Sequence, residues 1–188
     1  MADQGSQGYL SPFLQKKRIR KVLDFIPSDG DVLDYGCGNG NLCVHIDRAR
    51  YTGFDLDIAV IQIAKRKYPA YTFLSGSLGE IKKKYDLIIL LAVIEHVEDI
   101  SQTLMDLSDM LNANGRIILT SPSPAFEKIY NLGSRIGLFS KDAAEEHHQL
   151  INKKSLQGFL SRTDLRLVVY QRFLFGANQL FVLEKEMK

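Results

Sequence analysis

The chain has 188 residues, of which 45% are hydrophobic, and its 24 Lys and Arg nearly balance its 22 Asp and Glu. This length is typical of one domain with one sizeable core. The net charge of +2 disfavours a dedicated nucleic-acid-binding protein, because such proteins bind phosphates through a clustered excess of basic residues. Two cysteines without a CxxC pair indicate neither a disulfide framework nor a zinc site.

Hydrophobic runs in the chain are short. The longest, Leu87 to Ile94, falls well below the roughly 20 residues that a membrane-spanning helix needs. The sequence MADQGSQGYL has no basic region followed by an apolar stretch, so it does not resemble a secretory signal. We therefore expect a cytoplasmic protein without a membrane span.

The N-terminal part is expected to be a polar tail, residues 1–8, followed by a covering helix over residues 9–27. Ser11 and Pro12 are typical of a helix start, and Pro27 would end the helix. The basic side chains of this helix are expected on a solvated face, with a substrate or membrane patch as the alternative. They are Lys16, Lys17, Arg18, Arg20 and Lys21.

Strand-like and helical patterns then alternate. The apolar runs of strand length are Val32–Tyr35, Tyr51–Phe54, Tyr71–Leu74, Leu87–Ile94 and Arg116–Thr120. Asp57 is expected to cap a helix that Pro69 ends, and a second helix would carry Leu104, Leu107 and Leu111 as far as Asn114-Gly115. Such alternation predicts a doubly wound α/β sheet with right-handed crossovers.

The C-terminal quarter breaks this alternation. After an expected helix over Lys153–Arg162, the runs Leu165–Arg172 and Gln179–Glu184 are separated by a segment too short for a helical crossover. They should therefore form an antiparallel hairpin. The predicted fold is a Rossmann-like, seven-stranded sheet, mostly parallel, with a C-terminal antiparallel hairpin.

Three glycines at alternate positions follow the first predicted strand, in the sequence VLDYGCGNGN. Such a loop lets the backbone approach a ligand closely, and we expect it to open a helix whose free N–H groups face that ligand. A tight turn without a ligand is the alternative. Asn41 stands where a dinucleotide fingerprint has its third glycine, and the Gly-Lys-Ser/Thr of a phosphate-binding loop is absent. Asp34 would repel a pyrophosphate and attract a cationic amino group.

Asp55 ends the second predicted strand, about 20 positions beyond Gly36. An acidic side chain at such a strand end can accept hydrogen bonds from both hydroxyls of a ribose. A helix cap is the alternative role, although Asp57 could take that role instead.

As a set, the segments VLDYGCGNGN, YTGFDLD, YDLIILLAVIEHV and LNANGRIILTSPSP resemble the class I S-adenosylmethionine-dependent methyltransferases. The resemblance spans residues 31–124. It implies S-adenosyl-L-methionine as cofactor, with S-adenosyl-L-homocysteine as product. The family usually binds adenine through the Asp of a Gly-Asp pair, which here is Gly76-Ser77, so Ser77 or the backbone of Leu78 would make this contact. The cofactor residues implied are Asp34, Gly36, Cys37, Gly38, Gly40, Asp55, Leu56, Ser77, Leu78 and Leu91.

A general base is needed if the acceptor must lose a proton during transfer, and histidine is the usual candidate. In the family, a histidine-containing segment borders the acceptor pocket, which favours His148 and His147 within a lid over residues 122–150. His96 follows the fourth strand and is a third candidate, with a structural role equally open. Ubiquinone-pathway O-methyltransferases have a further Glu where this chain has Ala92, so we predict no metal.

The favoured hypothesis is methyl transfer to a small-molecule acceptor, most simply a hydroxyl oxygen, by in-line displacement. Elements typical of nucleobase methylation are absent after the fourth strand, and no dedicated nucleic-acid binding is expected. The enzyme should be a monomer or a homodimer. One alternative is a non-catalytic scaffold or partner subunit that keeps the cofactor fold. An NAD-dependent oxidoreductase is disfavoured by Asn41.

Overall fold

A computed structural model of the chain describes residues 11–124 and 150–186. The helices are α1 (Ser11–Leu23), α2 (Ile58–Lys67), α3 (Ile100–Asp109) and α4 (Lys153–Leu160). The strands are β1 (Val32–Tyr35), β2 (Tyr51–Phe54), β3 (Thr72–Leu74), β4 (Tyr85–Leu91), β5 (Leu111–Pro122), β6 (Leu165–Phe173) and β7 (Asn178–Lys185). Short 3-10 helices lie at Cys43–His45, Leu78–Glu80 and Ile94–His96.

The described strands form one seven-stranded sheet in the order β3-β2-β1-β4-β5-β7-β6. The first five in this order pair in parallel, and β7 pairs antiparallel with both β5 and β6. The predicted fold class, including the C-terminal hairpin, is therefore confirmed. The carboxyl ends of β1, β2 and β4 meet at one edge of the sheet, where open α/β sheets bind their ligands.

Two hydrophobic cores cover the two faces of the sheet. Because side chains alternate along a strand, Leu87 and Ile89 of β4 join the core under α1 and α2, whereas Ile88 and Leu90 join the core under α3 and α4. All four side chains are buried. A strand that is apolar on both faces is the expected centre of a parallel sheet, so β4 fixes the middle of the fold.

The helix expected after the glycine loop is replaced by the 3-10 helix Cys43–His45. The backbone then turns at Asp47, whose carbonyl accepts hydrogen bonds from the N–H groups of Arg50 (3.0 Å) and Tyr51 (3.1 Å). This turn leads directly into β2 and leaves no length for a helix. The prediction that a helix N-terminus faces the loop was wrong.

Several element boundaries also differ from the predictions. The helix carrying Leu104 and Leu107 ends at Asp109, and Leu111 begins β5, because the carbonyl of Met110 accepts a hydrogen bond from the N–H of Tyr85 in β4 (2.9 Å). Other predicted elements end at slightly different residues: α1 at Leu23, α4 at Leu160 and β4 at Leu91. Ile94 consequently lies in a 3-10 helix and not in β4.

Some predictions fall outside the described residues. They are the polar tail over residues 1–8, almost all of the lid over residues 122–150, and the candidate bases His147 and His148. Among the described residues, no helix has the length and hydropathy needed to cross a membrane.

Candidate functional site at the carboxyl edge of the sheet

The glycine loop lies directly against the end of β2. The N–H groups of Gly36 and Cys37 both donate hydrogen bonds to the carbonyl of Phe54, at 2.8 and 3.0 Å. Gly36 has a φ of +72°, and a Cβ atom there would lie 2.4 Å from Cγ2 of Val93. Close packing of two strand ends therefore requires glycine at position 36.

Gly38 and Gly40 have different surroundings although both have positive φ. A Cβ atom on Gly40 would lie 2.7 Å from the ring of Phe73, so this glycine is required by packing. A Cβ atom on Gly38 would have no atom within 4 Å. Gly38 thus leaves open space above the middle of the loop.

The carboxylate of Asp55 connects the loop to the end of β2. Its Oδ2 accepts a hydrogen bond from the N–H of Gly38 at 2.8 Å, and its Oδ1 accepts one from the N–H of Asp57 at 3.0 Å. Asp57, and not Asp55, is the N-cap of α2, since its side chain accepts from the N–H of Ala59. Each carboxylate oxygen of Asp55 can accept a further hydrogen bond from a ligand.

Two neighbouring clefts open next to Leu56, the residue that follows Asp55. The smaller, of about 210 Å³, is lined by Tyr35, Gly36, Phe54, Asp55, Leu56, Ala92, Val93, His96 and Val97. The larger, of about 670 Å³, includes Leu56, Ser77 and Leu78 in its walls. Tyr35 and Leu56 line both clefts, so the two form one groove that begins at the carboxyl ends of β1 and β2. The larger cleft extends from there to Lys84 and Met110, next to the start of β4.

The groove brings together many of the residues predicted for the cofactor site and one predicted base. These are Gly36, Asp55, Leu56, Ser77, Leu78 and His96. Four further residues of the smaller cleft were not predicted: Tyr35, Phe54, Ala92 and Val93. The first two end predicted strands, and strand ends at this edge are where ligands bind. Ala92 has a φ of +57°, a conformation that costs a residue other than glycine about 1 kcal/mol or more.

Asp34 lies outside both clefts. Its side chain is 2% exposed and points to the core under α1 and α2, where the hydroxyl of Tyr51 donates a hydrogen bond to Oδ2 at 2.8 Å. Burial raises the pKa of Asp34 to about 7, although the hydrogen bond from Tyr51 opposes that rise. The carboxyl group therefore joins the end of β1 to β2 inside the core. It does not line the groove, although it was predicted as a cofactor residue.

Cys37 and Leu91 also lie on the α1 and α2 side, in or against that core. Burial raises the pKa of the Cys37 thiol, so the thiol is neutral. Neither residue lines the groove. Both were predicted as cofactor residues, and in the structure their side chains support the strand ends.

Arg18 does not belong to the solvated basic face predicted for the first helix. Its side chain is half-buried, and its Nε donates a hydrogen bond to Oδ1 of Asn178 at 2.8 Å. Asn178 begins β7 opposite the end of β5. This contact anchors α1 at the same edge of the sheet as the groove.

His96 is exposed in the 3-10 helix Ile94–His96 and lines the smaller cleft. His45 is also exposed, away from the groove. Within residues 11–124 and 150–186, no group of three or more His, Cys, Asp and Glu side chains has an arrangement that could hold a metal ion.

The profile of the methyltransferase domain family matches residues 7–170 of the chain. The chain belongs to this methyltransferase family. The match covers the glycine loop, Asp55 and both clefts, and it confirms the resemblance to class I S-adenosylmethionine-dependent methyltransferases. The hypothesis of an NAD-dependent oxidoreductase, which Asn41 already disfavours, is not supported by this family match.

The methyltransferase is similar to curated ubiquinone biosynthesis O-methyltransferases. That of Brucella anthropi is 28% identical over 158 residues, which are 76% of this chain and 62% of the relative. That of Rickettsia canadensis is 31% identical over 111 residues, 55% of this chain and 47% of the relative. The matched part of the chain thus spans only about half to three fifths of the length of these relatives.

Solved methyltransferases share the fold of the chain. The magnesium protoporphyrin IX methyltransferase from Synechocystis PCC 6803, crystallised with S-adenosylhomocysteine, superposes with a TM-score of 0.72. The superposition covers 97% of this chain and 90% of that protein, at 18% sequence identity. A methyltransferase from Clostridium acetobutylicum gives a TM-score of 0.67 at 16% identity, covering 94% and 92% of the two chains.

Proposed function

We propose that this methyltransferase transfers a methyl group from S-adenosylmethionine to a hydroxyl oxygen of a small molecule. The observation that carries the proposal is the position of Asp55, whose carboxylate is held by the N–H of Gly38 in the wall of the smaller cleft. The names of the similar ubiquinone biosynthesis O-methyltransferases support a hydroxyl acceptor.

The residues of the groove fit such a cofactor. Open space above Gly38 leaves room for the methionine part, and the carboxylate of Asp55 has lone pairs free for ribose hydroxyls. The larger cleft offers the apolar side chains of Leu56 and Leu78 and the exposed hydroxyl of Ser77 to the adenine. When bound, the cofactor supplies a methyl group attached to a positively charged sulfur.

The main task of the chain is alignment. Transfer in line from a sulfonium releases a neutral leaving group, so the protein has to orient the reactants and exclude water from them. Alignment of this kind can contribute up to about 7–11 kcal/mol to the lowering of a barrier. The loop, which Phe54 and Asp55 hold through three hydrogen bonds, is suited to that task because its backbone is fixed before a ligand arrives.

A hydroxyl acceptor must also lose its proton. His96 borders the smaller cleft and is a candidate for accepting it. His147 and His148, outside the described residues, stay predictions for the same role. A small molecule is favoured as acceptor because the smaller cleft has a volume of only about 210 Å³ and the chain carries little net charge.

Calorimetric titration with S-adenosylmethionine and S-adenosylhomocysteine, with NAD as the negative control, tests the cofactor. Transfer of a labelled methyl group to catechol, 3,4-dihydroxybenzoate and the matching amines tests the acceptor class. We expect micromolar affinity for both sulfur compounds, none for NAD, and label on oxygen only. Binding without transfer to any compound would favour the non-catalytic scaffold, and labelled amines would contradict a hydroxyl acceptor.

A further inference from the structure

Another cleft lies between α1 and the segment that follows the glycine loop, and it shares no lining residue with the groove proposed for the cofactor. Its volume is about 450 Å³. Ile19 and Leu23 of α1 give it an apolar part, and its basic side chains are those of Lys16, Arg20 and His45. None of the described residues that line it is acidic. This α1 cleft therefore combines apolar and positively charged surface.

Exposed side chains of the same two kinds border the α1 cleft. Phe13, Lys16, Lys17 and Arg20 are spaced three or four residues apart, so they form one exposed stripe along α1. Phe13 is 49% exposed, and Nζ of Lys17 lies 5.3 Å from the centre of its ring. The 3-10 helix on the other side of the cleft carries Val44, which is 53% exposed. Apolar side chains thus face solvent on both elements that form this basic cleft.

The basic stripe of α1 is held in a fixed position. Ile19 and Val22, on the apolar face of the helix, are buried in the core against the sheet. Oε1 of Gln15 accepts a hydrogen bond from Nδ2 of Asn41 at 2.8 Å, and Oδ1 of Asn41 accepts one from Nζ of Lys67 at 2.7 Å. The charges are therefore presented on a rigid surface, with the exposed Lys67 as a further cation beside the cleft.

We propose that the stripe of α1, the α1 cleft and Val44 together dock the protein on a lipid bilayer that contains anionic phospholipids. Lipid phosphates pair with Lys16, Lys17 and Arg20, while Phe13 and Val44 enter the boundary between headgroups and acyl chains. Each basic side chain near an anionic bilayer contributes about fivefold to the affinity. The proposal goes beyond the proposed function and does not depend on the identity of the acceptor.

Charge complementarity favours an anionic bilayer over other occupants. The helix Ser11–Leu23 contains five basic residues and no acidic one. A nucleic acid would pair with these charges, but the net charge of the whole chain is only +2, and nucleic-acid-binding domains are typically strongly basic. A second copy of the chain, placed on the same surface about a two-fold axis, would bring two basic stripes together. Only the bilayer uses both the charges and the exposed apolar side chains.

The test measures binding of the full chain to lipid vesicles by co-sedimentation. One set of vesicles contains phosphatidylcholine with about a third of phosphatidylglycerol, and the control set contains phosphatidylcholine alone. We expect the protein to bind the anionic vesicles only. Raising NaCl from about 50 mM to about 500 mM should weaken binding at least tenfold, because salt screens interactions between exposed charges.

A pair of double variants with the same change in charge tests the position of the docking surface. Lys16→Gln with Arg20→Gln removes two charges from the α1 cleft. The matched control is Lys153→Gln with Lys154→Gln, since both lysines are exposed in α4, which packs on the opposite face of the sheet. We expect the first variant to bind anionic vesicles roughly 20-fold more weakly than wild type and the control to stay within threefold. Circular dichroism checks that both are folded.

Phe13→Ser with Val44→Ser tests the apolar part of the surface. Both side chains are about half exposed, so the double variant should fold. We expect it to bind anionic vesicles about fivefold more weakly, because two apolar side chains no longer leave water on docking. The dependence of binding on salt should match that of wild type, since no charge changes. Binding equal to wild type in this variant and in Lys16→Gln with Arg20→Gln would overturn the proposal.

Other outcomes also contradict docking on a bilayer. They are equal binding to neutral vesicles, an equal loss in the α4 control, and binding of a single-stranded oligonucleotide in place of vesicles. A dimer that Lys16→Gln with Arg20→Gln dissociates, without vesicle binding by wild type, would assign the surface to a second copy of the chain. Wild type that binds S-adenosylhomocysteine but no vesicles would leave the proposed function intact and remove only the docking surface.

Discussion

The N–H of Gly38 donates a hydrogen bond of 2.8 Å to Oδ2 of Asp55, and this contact joins the loop after β1 to the end of β2. A helix N-terminus would ordinarily supply free N–H groups at such a loop. Here only a 3-10 helix of three residues follows the loop. The N–H groups of the loop are bound instead by the carbonyl of Phe54 and the carboxylate of Asp55. The same carboxylate therefore holds the loop and faces the groove.

Replacing Asp55 by Asn should weaken binding of S-adenosylhomocysteine by roughly 10- to 150-fold. Hydrogen bonds to a charged acceptor are worth about 1.5–3 kcal/mol, and the amide presents only one acceptor oxygen where the carboxylate has two. Isothermal titration calorimetry measures the change.

The matched control for Asp55→Asn is Asp57→Ala, two residues away. Asp57 caps α2 through the N–H of Ala59, so its loss should lower the free energy of unfolding by about 1 kcal/mol. Its cofactor affinity should stay within twofold of wild type. Equal affinities in the two variants would contradict the assignment of the ribose to Asp55.

Gly38→Ala should separate cofactor binding from folding. The added methyl group meets no atom within 4 Å, so its folding cost is that of a positive φ, about 1 kcal/mol. It would occupy the open space proposed for the methionine part, and we expect at least a tenfold loss of affinity for S-adenosylhomocysteine by calorimetry.

Gly176→Ala is the control for this glycine substitution. Gly176, in the turn between β6 and β7, also has a positive φ and open space around a Cβ atom. Its stability cost should therefore match that of Gly38→Ala in urea unfolding, with no change in affinity. A cofactor affinity for Gly38→Ala equal to that of Gly176→Ala would show that the open space is not part of the site.

The parallel strands could be predicted because each is a short apolar run, most clearly in β4, where both faces are buried. The helix boundaries could not be predicted, because they depend on contacts between residues that are distant in sequence. Leu111 continues a helical spacing with Leu107, but pairing with β4 draws it into a strand. The absence of a helix after Gly40 depends on the turn at Asp47.

The residues of the candidate site likewise include some that could be predicted from the sequence and some that could not. Gly36 and Asp55 could be identified because their residue types at strand ends have a specific chemistry. The burial of Asp34 and Glu95, which are 2% and 0% exposed, could not be predicted, because it results from contacts distant in sequence, such as that of Asp34 with Tyr51. Arg18 was predicted to lie on a solvated helix face for the same reason, because its contact with Asn178 of β7 is distant in sequence.

The three candidate histidines can be distinguished from one another by the rate of methyl transfer. A base that takes the acceptor proton contributes about 10²-fold or more to transfer. We expect one of His96→Ala, His147→Ala and His148→Ala to lose about 10²-fold or more in transfer rate, with the cofactor affinity within twofold of wild type in all three. Transfer rates within tenfold of wild type in all three would contradict a histidine base. A loss of 10²-fold in one of them, measured with labelled methyl donor, would identify that histidine as the base.

The stability of the protein should fall as pH rises from about 4 to about 7. The pKa of Asp34 is raised by burial from 3.8 to about 7, and that of Glu95 from 4.5 to about 7. Between these values the folded state binds more protons than the unfolded state, so each group lowers the free energy of unfolding by up to about 1.4 kcal/mol per pH unit. The favourable contribution is fully present below pH 4 and is lost as pH rises through 7.

Urea unfolding at pH 5, 6, 7 and 8 measures this slope, and Asp34→Asn should reduce it because the amide does not titrate. Tyr51→Phe provides the complementary variant, since the Tyr51 hydroxyl lowers the pKa of Asp34 and its loss should raise that pKa further. The pH range in which stability falls should then extend above 7. Equal slopes in wild type and Asp34→Asn would mean that the Asp34 carboxyl titrates alike in the folded and unfolded states, against its burial beneath the loop.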